Sequence, residues 1–100
     1  MFIAIVDFAV AEENRPEALA TLLHEIPAIR AMKGNIAIQA YVDPVNMQAL
    51  RIFHEWQDAE SFEKYTMSDA FKSSGQKLRP MMVGAPSSRR LTATLMETVA

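Results

Sequence analysis

One hundred residues, half of them hydrophobic, with a formal net charge of -2 and a mean hydropathy of +0.01, suit one small domain with a modest core, residues 1–100. The acidic balance, with a pI near 5.6, argues against a nucleic-acid partner, because phosphate binding needs a basic surface. The absence of cysteine removes disulfides, thiolate nucleophiles and cysteine-held metals, and no apolar run approaches the roughly 20 residues of a membrane span.

The opening MFIAIVDFAV lacks a basic leader and a small-residue cleavage site and contains Asp7, so it reads as a strand rather than a signal peptide, and the protein is expected in the cytoplasm. Phe2 to Val10 is the first predicted strand. Phe2, Ala4, Val6, Phe8 and Val10 share one side and Ile3, Ile5, Asp7 and Ala9 the other, a pattern for a central strand covered on both faces. Asp7 is the exception in this apolar run.

A helix is predicted from Asn14 or Arg15, with Pro16 in its first turn, Glu17 complementing the dipole, and Leu19, Leu22, Leu23 and Ile26 at helical spacing. Pro27 should bend it, with helix resuming to about Met32 before Gly34 stops it. Asn35 to Asp43 alternates as a second strand and Ala49 to Gln57 as a third, and the short link between them implies antiparallel pairing. In the third strand Leu50, Ile52, His54 and Trp56 face one way, Arg51, Phe53, Glu55 and Gln57 the other.

Asp58 should cap a helix with Ala59, Phe62, Tyr65 and Thr66 on one flank, and Ser68 should cap a restart through Phe71 and Leu78, until Pro80 stops it. Arg90 to Val99 reads as a last strand from its alternation and β-branched content. The order strand, helix, strand, strand, helix, strand is two split βαβ units: an α+β, ferredoxin-like βαββαβ fold with a four-stranded antiparallel sheet.

The early strand, the glycine after the first helix, the Glu55-Trp56 pair, the DAESF after it and the SDAFK from Ser68 resemble the antibiotic biosynthesis monooxygenase (ABM) domain family, over the chain up to about Leu78. That resemblance implies a dimeric α+β barrel. It also implies an activity among those of its members, which include oxygenases of anthrone-type polyketides and quinols that use no bound metal or flavin, haem-degrading enzymes and a sugar-phosphate isomerase. Two positions depart from the family. Tyr65 stands where many members have a histidine, nine residues after the tryptophan, and Ser73, Ser74 and Gly75 stand where the haem-degrading branch has its iron ligand. Haem degradation is not expected.

Trp56 is either core or the wall of a pocket, and the resemblance favours the wall, with Ile52, Phe62 and Phe71 as further substrate-binding surface. His54 is either a hydrogen-bonded structural residue or a base; Tyr65 is either a packing ring or a donor to an oxyanion. Asp7 is either salt-bridged by Arg51 or Arg90 or lines the pocket, where burial would raise its pKa and make it a second candidate base. His24 has no expected role. Three readings follow: a cofactor-independent monooxygenase taking a small aromatic or quinol-like substrate and molecular oxygen; a non-catalytic ligand-binding barrel; and an isomerase with Asp7 or His54 as base. Neither the two distant histidines nor the three glycines make a metal or nucleotide site, so no metal and no bound cofactor is expected. A homodimer is expected too, because one sheet face would carry Phe53, Tyr41, Ala37 and Phe2 or Phe8 into water.

Overall fold

The computed structural model describes residues 1–100. β1 (Phe2–Ala9), β2 (Asn35–Val42), β3 (Ala49–Trp56) and β4 (Ser87–Thr92) form one antiparallel sheet in the order β2-β3-β1-β4. α1 (Arg15–Arg30) joins β1 to β2, and α2 (Ala59–Thr66) with α3 (Asp69–Leu78) joins β3 to β4. This is the ferredoxin-like arrangement, with the first strand in the middle of the sheet. No helix is long and apolar enough to cross a membrane.

The helices cover one sheet face, and strand parity decides what lies beneath them. Ala4, Phe8, Leu50, His54 and Trp56 are buried there, as the alternation of β1 and β3 requires. Two apolar clusters result: Ala4, Ile29, Ile38, Trp56, Phe62 and Tyr65 at one end, and Phe8, Val10, Ala18, Leu22, Leu50 and Leu78 at the other. Ile52 packs against both and joins them.

Two caps set the path of the second crossover. The Asp58 side chain accepts from the Ser61 amide at 2.8 Å, and the Ser68 hydroxyl accepts from the Phe71 amide at 3.2 Å. Gly34, with φ +87°, brings the chain into β2 against α2: a β-carbon there would lie 2.2 Å from Ser61 Oγ. Its carbonyl accepts from the Gln57 amide at 2.7 Å, which ties the start of β2 to the end of β3.

Several expectations change. α1 runs unbroken through Pro27 and ends at Arg30. Its missing amide would have bonded the carbonyl of Leu23, which is exposed, so water can take that carbonyl. Leu23 accordingly faces out, and the buried stripe of α1 is Ala18, Leu22 and Ile29. The last strand is Ser87–Thr92, not Arg90 to Val99. It pairs with β1 from Asp7 back to Phe2, and its ladder partner ends where β1 begins. Only one face of β1 is covered by this chain. Phe8 lies in the helix-side core and Phe2 packs on Phe62 at 4.8 Å, so neither is on the open face, which carries Ile3, Ile5, Phe53 and Leu91 instead.

Candidate functional site

Between the sheet and α2–α3 lies a cavity of about 300 Å³. β3 contributes Ile52 and His54 to its floor, and β4 contributes Ser88 and Arg90. The helices close it with Phe62, Tyr65 and Phe71. Five of the seven residues singled out in the sequence therefore meet around one space: Ile52, His54, Phe62, Tyr65 and Phe71.

Trp56 is not among the lining residues, which corrects its reading as a wall. It is 0 % exposed and lies behind Tyr65, nearly parallel to it at 5.3 Å between ring centres, and edge-on to Phe62 at 6.2 Å. Its position at the end of β3, against the first turn of α2, puts the ring in the core, where it braces the two rings that do line the cavity.

Asp7 is corrected as well. Parity puts it on the open face of the sheet, opposite Arg51 and Ser87, with the sheet between it and His54. Its carboxylate is held by Arg51 through two bonds of 2.6 and 3.1 Å, with Arg89, not Arg90, at 3.7 Å. The hydrogen bond from Arg51 holds its pKa below the usual carboxylate value, against a smaller opposing effect of burial. Such a group is a weak base. Asp7 does line a hollow of about 590 Å³ with Tyr41, Arg51 and Val83. That hollow is the larger of the two, but it is shallow and its carboxylate is already paired, so the inner cavity is the better candidate site.

His54 is 2 % exposed, and burial pushes its pKa down to about 4. It is a neutral imidazole at neutral pH. Trp56 Nε1 donates to its Nδ1 at 3.4 Å, which assigns the imidazole proton to Nε2. A histidine in this state presents a donor and is poorly suited to taking a proton. Tyr65 lies 5.4 Å from His54 and 5.4 Å from Phe71 between ring centres. Its pKa is pushed up to about 12, first by burial and then by the negative charge of Glu25.

The cavity thus offers apolar and aromatic walls, four neutral polar side chains (His54, Tyr65, Ser74 and Ser88) and two cations. Arg79 lines it, and Arg90, also lining it, lies with its guanidinium 5.0 Å from the centre of the Phe62 ring. Sequence reading placed neither arginine here: Arg79 was not singled out, and Arg90 was weighed only as a partner for Asp7. Arg90 could have been found from parity with the right register, since it pairs with Ala4, whose side of the sheet is buried. No three histidine, aspartate or glutamate side chains converge in a group that could hold a metal ion.

Fold and cavity define a small α+β domain with a pocket between its sheet and its second pair of helices, α2 and α3, walled in part by aromatic rings. The family model described as antibiotic biosynthesis monooxygenase matches residues 1–76, and the chain belongs to that family. Among solved structures it is similar to a provisionally named antibiotic biosynthesis monooxygenase from Deinococcus radiodurans, at TM-score 0.90 and 13% identity over 100% of this chain and 99% of that one. A protein given the same provisional name, from Nitrosomonas europaea, matches at TM-score 0.89 and 7% identity over 95% and 100% of the two chains. A conserved protein from Methanosarcina mazei matches at 0.86 and 21% over 94% of each. At such identities these structures establish the fold alone. A search of curated proteins gave no match.

Proposed function

We propose that the chain is a monooxygenase that oxidises a small aromatic, quinol or polyketide-like molecule with molecular oxygen in the cavity beneath α2 and α3. In this reading no bound metal, flavin or haem takes part, and the working form is a homodimer in the cytoplasm. The observation that carries it is the make-up of that cavity: aromatic walls from Phe62, Tyr65 and Phe71, a neutral His54 donor, and the Arg90 cation at one side.

Ground-state oxygen is a triplet and reacts slowly with closed-shell molecules unless they can give up one electron first. A deprotonated anthrone or hydroquinone can do so. The protein's task is to bind the ring, hold the anion and keep water away. His54 Nε2–H and Arg90 supply donors to an oxyanion, while Trp56 keeps Tyr65 and Phe62 in place. For an anthrone the reacting CH₂ loses both hydrogens and gains one oxygen atom, and the second oxygen leaves as water. The residue choices agree with this chemistry: aromatic walls suit a flat apolar substrate, and the two cations that line the cavity stabilise its anion more than its neutral form.

Oxygen uptake by the purified protein with a panel of anthrones and hydroquinones tests the reading. Uptake that saturates with substrate and falls at least tenfold in Arg90→Met is expected, corresponding to roughly 1.4 kcal/mol of transition-state stabilisation. A panel that binds without any oxygen consumption would favour a pocket that only binds. Stoichiometric metal, flavin or haem in protein purified without additives, by elemental analysis and visible absorption, would overturn the cofactor-free part.

A further inference from the structure

The pocket lacks an obvious proton acceptor, since Asp7 is across the sheet and His54 presents a donor. Glu25, on α1, is a carboxylate that the site has not yet used. Its side chain is 11% exposed, and both carboxylate oxygens are buried without a hydrogen-bond partner. Lys77 Nζ lies 3.5 Å from Oε1, close enough to balance the charge but not placed to donate a hydrogen bond. Burying a carboxylate in this way is costly, and such groups persist where they have a partner or a task.

Next to it is an interior cavity of about 20 Å³, above the roughly 10–15 Å³ that one water molecule needs. Its polar lining is Glu25, Tyr65 and Ser74, three groups that could hold a water, and the remainder is aliphatic. Tyr65, Ser74 and Ile52 also line the larger cavity, so these three form the partition between the two spaces.

We propose that Glu25 is the proton acceptor for the pocket, acting on substrate through one water and the Tyr65 hydroxyl. The inference rests on the reading of the larger cavity as a site for a molecule with an acidic hydroxyl. The substrate hydroxyl gives its proton to the Tyr65 oxygen, Tyr65 gives its own to the water, and the water gives one to Glu25. Each O–H bond broken is replaced by another, no electrons are lost, and the negative charge moves from Glu25 to the substrate oxygen beside Arg90. Glu25 touches no substrate atom and is a positioning residue for Tyr65. The groups facing it are Lys77 from α3 and Tyr65 from α2; the strands present Ile38, Ala40 and Ile52, which do not ionise.

The test begins without substrate. The chain has two tyrosines, so Tyr41→Phe leaves Tyr65 as the only phenol to be followed by ultraviolet titration. Its midpoint is expected near 12 in that background, and Glu25→Gln should bring it down toward 10.0 without reaching it, while Glu25→Asp keeps it raised. An unchanged midpoint in Glu25→Gln, with Glu25→Asp also unchanged, overturns the proposal. The second arm uses para-nitrophenol, coloured only as its anion. The parent should bind it as the anion with no proton released to buffer, and Glu25→Gln should bind it uncoloured. Equal colour in both overturns the Glu25 proposal and leaves the pocket reading standing. No binding to either, alongside a shifted Tyr65 midpoint, overturns the pocket reading and leaves the coupling of Glu25 to Tyr65 supported.

Discussion

His54 shows at the scale of one residue how strongly the fold sets ionisation. Its pKa is about 4 in the folded chain against 6.5 unfolded, because the imidazolium is excluded from the apolar interior. Between those values the unfolded chain takes up a proton that the folded chain refuses. Stability is therefore full above pH 6.5 and falls as the pH drops toward 4, by about 3 kcal/mol for this group. Urea unfolding at a series of pH values should show that slope in the parent, and His54→Gln should lack it. Equal slopes would mean that His54 reaches water. Strand parity made the face of His54 legible in the sequence, but its pKa depends on how completely Phe62 and Tyr65 cover it, which no local pattern states. Glu25 left a fainter trace: it falls within the Leu22, Ile26, Ile29 stripe of α1, where a charged residue needs a reason.

Helix caps and alternating strands were read correctly, whereas the local signal of Pro27 misled and the ends of β4, fixed at a distance, were missed. Asp58 and Ser68 each cap the turn that follows them, so the break between α2 and α3 could be placed to the residue. β4 has no such signal, since its ends are set by where β1, near the other end of the chain, offers it partners. Gly34 combines both kinds. Its role as a stop was visible, but the approach of Ser61 was not. Gly34→Ala should cost about 1–3 kcal/mol, from the positive φ and from the clash with Ser61. Ser61→Gly in the same chain should recover the part due to the clash and leave the part due to φ. Thermal unfolding of the two single variants and the double variant measures the split, and strict additivity would mean the clash is relieved elsewhere.

At the scale of the molecule, the sheet has one face under the helices and one left open, with Ile3, Ile5, Phe53 and Leu91 around the Asp7–Arg51 pair. An apolar sheet face of this kind is well suited to packing on its own copy. Light scattering at micromolar concentration should give twice 11.2 kDa for the parent, and Phe53→Arg should halve that mass while keeping the far-ultraviolet spectrum. A monomeric parent would sink the barrel architecture. The existence of an open face was readable from Phe53 and Tyr41 in the sequence. Its edges were not, because they follow from the register of β4.

The central place of β1 has a consequence for how the chain is made. Phe2 pairs with Trp56 on one side and Thr92 on the other, so the first of the four sheet strands to be synthesised has both neighbours only when the fourth is made. Closing such distant pairs is slow compared with forming the β2–β3 hairpin, which needs only a short loop. Until β4 is made, β1 is therefore an apolar ribbon with at least one free edge, the kind of edge that pairs with other chains. A chain that stops before Ser87 keeps that edge permanently.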